Sequence, residues 1–179
     1  MIRLLYSTVL ALAAAAPLRA GDWTPGVEVR LDSTLCATYR ARLSGEYLVV
    51  EVALQPGWHT FAMDNKKRAE EKLAGKRSLG IEKPTEIGVS GGLQVAGPWY
   101  QTPPKDASRP ELNWFTWTFE RQAQFVAKVR PAGGAPGKIG VRAQACTESS
   151  CKNVDIQITL PTRGVGRTEV DLAALVPVR

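Results

Sequence analysis

The sequence predicts an all-β fold, an antiparallel β-sandwich, and three observations carry that reading. Short segments alternate apolar and polar residues with the period of two that a half-buried strand requires. Glycine and proline, 16 and 12 of the 179 residues, punctuate those segments at turn positions. No regular series of helices separates the strands, which argues against a parallel α/β sheet.

The longest apolar run, Leu4 to Ala16, is interrupted by Tyr6, Ser7 and Thr8 and falls short of the roughly 20 residues of a membrane helix. Arg3 precedes it and a small-residue end closes at Ala20, so residues 1–20 have the basic, apolar and cleavage regions of a secretory signal peptide. The remaining residues 21–179 have the length of one domain. Losing Arg3 and Arg19 lowers the formal charge from +6 to about +4. Such mild basicity lacks the concentrated basic face of a nucleic-acid binder. An exported protein, periplasmic or otherwise, soluble after signal cleavage and without membrane insertion, is expected.

From Val27 to Leu43 the odd positions are mostly apolar, with Glu28, Arg30, Asp32, Thr38, Arg40 and Arg42 between them. This predicts a strand pair or one long bent strand. Ser44-Gly45-Glu46 makes a turn, Tyr47 to Leu54 a more buried strand ending at Gln55-Pro56-Gly57, and Trp58 to Phe61 its continuation. Asp64 to Arg77 is rich in Lys, Glu and Ala, with Ala69 and Leu73 four apart and Lys66/Glu70 and Lys67/Glu71 as opposite-charge pairs. It predicts a short surface helix, read as a solvated insertion ahead of a docking patch. Further strands are expected at Thr85 to Val89, Leu93 to Ala96, Trp114 to Phe119, Gln124 to Val129, Lys138 to Ala145 and Val154 to Leu160. Pro98 to Pro110 and Pro131 to Gly137 read as loops. The tail, residues 162–179, has Leu172, Leu175 and Val176 for packing, and the pattern leaves open whether it docks.

Export changes the meaning of the three cysteines, because disulfides form and persist outside the cytosol. Cys146 and Cys151 are the close pair, which leaves Cys36 over. In the strand before the pair Ile139, Val141, Ala143 and Ala145 share one parity and Cys146 the other. In the strand after it Val154, Ile156, Ile158 and Leu160 share one and Cys151 the other. Both sulfurs are therefore expected on the accessible, non-core face, meeting across the turn. A bridge closing about six residues stabilises a fold by roughly 2 kcal/mol, against nearly 5 for a loop of about 110. The pair is thus a weak brace, and accessibility is what thiol–disulfide exchange requires. Glu148 disfavours a neighbouring thiolate and Lys152 favours one at Cys151. The residues by themselves leave a loop clip and a redox centre equally open.

The run Gln144-Ala145-Cys146-Thr147-Glu148-Ser149-Ser150-Cys151, followed by an alternating strand, resembles the redox loop of the N-terminal periplasmic domain of the thiol:disulfide interchange protein DsbD. Pro56-Gly57-Trp58-His59-Thr60-Phe61 resembles that family's turn-and-strand signature, and Lys83-Pro84-Thr85-Glu86-Ile87 the element that follows it. The matches run in the family's order over a core of about 27–161. The resemblance implies an immunoglobulin-like sandwich with a short helical insertion. It further implies that Cys146 and Cys151 are the catalytic pair, passing electrons to or from periplasmic thioredoxin-fold partners through mixed disulfides. An aromatic cap loop is implied as well, with Trp114 and Phe115 as candidates. Lys152-Asn153-Val154 follows the second cysteine, where many relatives carry an aromatic and prolines. Because the sequence carries neither the membrane nor the thioredoxin-like domain of DsbD, a separate membrane electron donor is expected. The alternative is a non-catalytic interaction module with a structural loop disulfide.

No cofactor or metal site is expected. His59 is the single histidine of the chain, too few for a histidine metal cluster, and is read as structural beside Trp58. Cys36 shares the parity of Thr38 and Arg40, which exposes it, although a buried, inert cysteine at a bend is the commoner outcome. Trp99, Tyr100 and Trp114 raise a third reading, carbohydrate or peptide binding.

Overall fold

The computed structural model describes residues 22–160 and 170–179; the expected signal peptide at 1–20 and the first part of the tail lie outside them. The strands are β1 (Val27–Leu31), β2 (Thr34–Ser44), β3 (Tyr47–Leu54), β4 (His59–Phe61), β5 (Glu86–Gly91), β6 (Leu93–Gln101), β7 (Lys105–Asp106), β8 (Trp117–Glu120), β9 (Gln122–Pro131), β10 (Gly137–Cys146), β11 (Cys151–Leu160) and β12 (Val176–Pro177), with one helix, α1 (Asn65–Leu73). All named pairings are antiparallel. One sheet has the order β1-β2-β3-β9-β6-β12, the other β11-β10-β4-β8-β7, with β5 also paired to β10. The protein is an all-β, immunoglobulin-like sandwich.

The alternation seen in the sequence becomes the core. Tyr39, Leu48, Val50, Val52 and Phe125 of the first sheet meet Phe119, Ile139, Val141 and Ile158 of the second and Trp58 of the turn before β4. The rings of Phe119 and Phe125 meet edge to face at 5.6 Å across the sheets. Within β3 of the first sheet, Glu51 is buried and accepts from Arg40 Nε at 2.7 Å and Gln122 Nε2 at 2.6 Å. Burial alone raises that carboxyl's pKa; the hydrogen bonds from Gln124, Arg40 and Gln122 outweigh it and hold the value low.

One expectation about this part of the chain is corrected. Trp58 to Phe61 does not continue the preceding strand: a turn closed by Trp58 N donating to Gln55 O at 3.0 Å, with Gly57 at φ +82°, carries the chain into the second sheet. A positive φ there favours glycine, which has no Cβ to clash. Cys36 takes the commoner of the two outcomes weighed for it, a buried cysteine at a bend, and not the exposure that its parity gave. In the β1–β2 register Val29 faces Ala37 and Arg30 faces Leu35, so Cys36 is the extra residue of a bulge. A bulge turns the local alternation by one position, and both Cys36 and Ala37 are fully buried in the core.

The helix is anchored by two polar residues at its start. Asn65, fully buried, donates from Nδ2 to Glu82 O at 3.2 Å and accepts at Oδ1 from Trp117 N at 2.7 Å. Asp64 accepts at Oδ1 from Gln101 Nε2 at 2.8 Å, pairs there with Arg68 Nε at 2.8 Å, and accepts at Oδ2 from Arg179 N at 3.2 Å. The end of the tail therefore docks, with β12 paired to β6. Burial pushes the Asp64 carboxyl upward, and the hydrogen bonds from Arg68, Gln101 and the Arg179 backbone overcome it, leaving the pKa lowered. We expect Asp64→Asn to lower stability by about 2–4 kcal/mol at neutral pH, because Arg68 and Gln101 are left facing a neutral amide. A carboxyl depressed by folding contributes fully above its unfolded pKa of about 3.9, and the contribution is lost as the pH falls through the lower folded value. Urea unfolding of both proteins between pH 7 and pH 2 checks this: the gap between them closes below about pH 4.

Candidate functional site

Cys146 closes β10 and Cys151 opens β11, and the two stand directly opposite in the hairpin register with a Cα–Cα distance of 4.0 Å. They form a disulfide. The four residues between them are held by Thr147, whose backbone N donates to Ser150 O at 2.7 Å. Its hydroxyl accepts from Ser150 N at 3.1 Å and Ser149 N at 3.3 Å. A threonine oxygen satisfying the amides of the turn is a local alternative to the strand ladder, and here it ends the hairpin.

The parity argument is half realised. Cys146 does lie off the core parity, but it is 2% exposed, whereas Cys151 is exposed. Cys146 is covered because its outer face is not open surface. It lies in a cleft of about 630 Å³ whose lining includes His59, Glu82, Arg109, Trp114, Glu120 and Glu148 together with both cysteines. Lys152 pairs opposite Ala145 and so belongs to the other face of the hairpin; of the two charges weighed from sequence, Glu148 lines the cleft.

Part of the cleft's lining is a short strap between β7 and β8. Arg109 and Trp114 bond to each other through both backbone amides, at 2.6 and 3.1 Å, around a 3₁₀ turn at Pro110–Leu112. Ala107 N donates to Thr116 O at 3.0 Å, and Ser78 Oγ ties the strap to the segment after α1 by donating to Asn113 O at 2.9 Å. Trp114 Nε1 donates to Glu82 Oε1, and the Arg109 guanidinium lies 5.4 Å from the centre of the Trp114 ring. Trp114 thus lines the cleft with the cysteine pair, while Phe115 packs partly buried against the hydrophobic core. Trp99 and Tyr100 stand in β6 of the first sheet, paired opposite Ala127 and Val126, and are not brought to Trp114's cleft.

His59, set aside in the sequence as structural, is a cleft residue. The neighbouring Trp58 is buried in the core, so strand alternation turns His59 and Phe61 outward to the opposite face. Their rings meet edge to face at 5.3 Å. Burial lowers the His59 pKa, against the charges of Glu120 and Glu82, which raise it. The Lys105 ammonium, 3.0 Å from Glu120 Oε1, holds that exposed carboxyl below its ordinary value.

No protein-family model and no curated protein match this sequence. Among solved structures the chain is similar to the reduced N-terminal domain of DsbD from Neisseria meningitidis, at 12% identity and a TM-score of 0.48 over 79% of this chain and 89% of that one. It is also similar, at 13% identity and a TM-score of 0.48 over 72% and 84%, to a structure of the complex between the DsbD and PilB N-terminal domains of the same organism. Among the described residues no helix is long and apolar enough to cross a membrane.

The burial pattern sets an order of thiol reactivity. We expect the native oxidised protein to show no thiol toward an aromatic disulfide reagent, and unfolding to release one, Cys36. After reduction, mass-mapped alkylation should label Cys151 first, Cys146 more slowly and Cys36 only on unfolding. Labelling of Cys36 in the native protein would contradict the inward turn of the bulge.

Proposed function

We propose that this protein is an exported thiol:disulfide exchange domain that relays electrons to or from periplasmic thioredoxin-fold partners by reversible opening of the Cys146–Cys151 bond. The observation that carries the reading is the asymmetry of the pair: of two bonded cysteines lining one cleft, Cys151 is exposed and Cys146 is buried. An incoming thiolate needs access to one sulfur only, and the other leaves. A loop clip gains nothing from this arrangement, since the hairpin is already paired along all ten residues of each strand and the bridge adds roughly 2 kcal/mol at most in the chain-entropy picture.

In this reading Cys151 is the residue attacked and Cys146 the one that leaves and later resolves. Trp114, the aromatic over the cleft, is the cap; Phe115 belongs to the packing beneath it. The large exposed hydrophobic side chains among the described residues, Leu79 and Leu112, lie on the two segments joined by the Ser78–Asn113 hydrogen bond beside the strap. They offer a partner apolar contact on these two segments. The electron donor is a separate membrane carrier, and residues 1–20 direct export.

A relay requires a bridge within reach of periplasmic carriers. We expect a reduction potential above about −300 mV; a structural clip lies below that value. Cys146→Ser should trap a purified thioredoxin-fold protein, itself lacking its resolving cysteine, as a mixed disulfide through Cys151, whereas Cys151→Ser should trap far less. A potential below −300 mV with no trapping leaves the loop-clip interaction module as the correct reading. Trp114→Ala, which uncovers the cleft, should raise the rate of reduction by a small dithiol severalfold, measured by stopped-flow fluorescence of the remaining tryptophans; an unchanged rate removes Trp114 from the cap.

A further inference from the structure

The end of β10 lies between two strands, and the registers on its two sides line up. Cys146 is the partner of Cys151 in β11 and of His59 in β4, and His59 is in turn the partner of Glu120 in β8. Directly opposed residues on antiparallel strands present their side chains on the same face with Cβ atoms about 4.5–5.5 Å apart. Cys151, Cys146, His59 and Glu120 therefore form one row across four strands, and all four line the same cleft. A sulfur, an imidazole beside it and a carboxylate beyond the imidazole is the arrangement that activates a nucleophile by a base held by a third group.

We propose that His59 is the acid–base partner of the Cys146 sulfur, with Glu120 as the positioning residue for its imidazole; the proposal rests on the redox reading of the pair. On opening, a partner thiolate attacks Cys151 Sγ. A partner–Cys151 S–S bond forms, the Cys146–Cys151 bond breaks, and its electron pair leaves on Cys146 Sγ. The Cys146–His59 pair takes up one proton from solvent through the cleft, replacing one the partner thiol released when it ionised. A second partner thiolate then attacks the partner's own sulfur in the mixed disulfide and releases Cys151, which is protonated from solvent. The partner is oxidised to its disulfide and this protein is reduced by two electrons and two protons. Closure runs the same steps backwards, His59 drawing the proton from the Cys146 thiol so that its sulfur attacks as a thiolate.

Two features of the surroundings suit this role. A buried thiol resists ionising in an apolar setting, so Cys146 needs a neighbour that accepts its proton. The titratable groups that line the cleft with the imidazole are Glu120 from β8, Glu82 from the segment after α1, Arg109 from the strap, Glu148 from the hairpin turn and the two cysteines, with Lys105 of β7 paired to Glu120. Burial keeps the imidazole neutral near pH 7 while the bridge is closed, and the two carboxylates named with it favour the imidazolium once a proton arrives.

His59 is the only histidine in the sequence, so its ring proton signals in an untagged protein are unambiguous. The test is an NMR pH titration of those signals in the wild-type protein, oxidised and then reduced with a trialkyl phosphine. Coupling to Cys146 should move the His59 midpoint by about one pH unit on reduction and add a second inflection, as interacting groups titrate jointly. Glu120→Gln should lower the midpoint in both states. Superimposable curves in the two redox states overturn the proposal. In kinetics, His59→Gln should slow exchange with a thioredoxin-fold dithiol at pH 7 by about 100-fold, the low end for acid–base groups, and remove the corresponding inflection from the pH–rate profile. An equal rate and profile in the variant also overturns it. Failure of the redox reading has a different signature, a wild-type bridge that the thioredoxin-fold dithiol leaves closed, and the phosphine titration still decides the coupling in that case.

Discussion

The register at the end of β10 is the constraint on which the site depends. Sliding β10 by one residue against either neighbour would turn every side chain of the strand to the other face. Ile139, Val141, Ala143 and Ala145 would leave the core, and Cys146 would face inward, away from His59. The apolar stripe of β10 and β11 therefore fixes the chemistry at its end: burial of those residues, each contributing on the order of 1–3 kcal/mol for a full aliphatic side chain, holds the two sulfurs opposite each other on the outer face. The bridge itself adds less than the core that positions it.

Placing polar chemistry on the outer face of a sheet creates a second problem, the covering of buried polar groups, and the strap and helix resolve it. Thr116 at the end of the strap and Thr118 in β8 are buried, and Thr116 exchanges hydrogen bonds with Ser108. Thr60 Oγ1 donates to Gln144 O at 2.8 Å, and Thr85 Oγ1 to Phe61 O at 2.6 Å, tying β4 to β10 and to the segment leading into β5. Because β4 has three residues, its own ladder is short, and these side-chain bonds hold His59 in its row. The helix start contributes through Asn65, which joins Glu82 to Trp117 and so fixes the acceptor of the Trp114 indole.

Much of this was legible in the residues because strand alternation is a local signal. The sandwich class, the bounds of β3 at Tyr47 and Leu54, the helical insertion and the off-core parity of both cysteines all follow from a period of two or of 3.6. What escaped depends on partners distant in the chain. The fate of Cys36 turns on a bulge, which appears only when β1 and β2 are paired. The cleft around Cys146 is lined in part by a strap some 30–40 residues earlier, whose Pro-rich composition reads as a plain loop. His59 was judged by the lack of a second histidine; the parity of buried Trp58 already turned it outward, but only the order β10-β4-β8 sets it beside a sulfur. Lys152 illustrates the converse, since adjacency in sequence to Cys151 puts it on the opposite face.

The unequal burial of the two sulfurs has a consequence for direction that symmetry would not allow. In exchange, the reactive sulfur is set by access and the departing one by how well it carries charge. Exposed Cys151 satisfies the first requirement and buried Cys146 by itself fails the second, because taking a thiolate out of water raises its energy. A buried leaving group with no proton source would make the bridge inert, whatever the access at Cys151. The cleft supplies what burial removes: a path for solvent, an imidazole on the adjoining strand, and carboxylates that favour its charged form. Access at one cysteine and proton management at its neighbour are thus separate jobs within the same four-strand row, and Trp114 lines the cleft that both share.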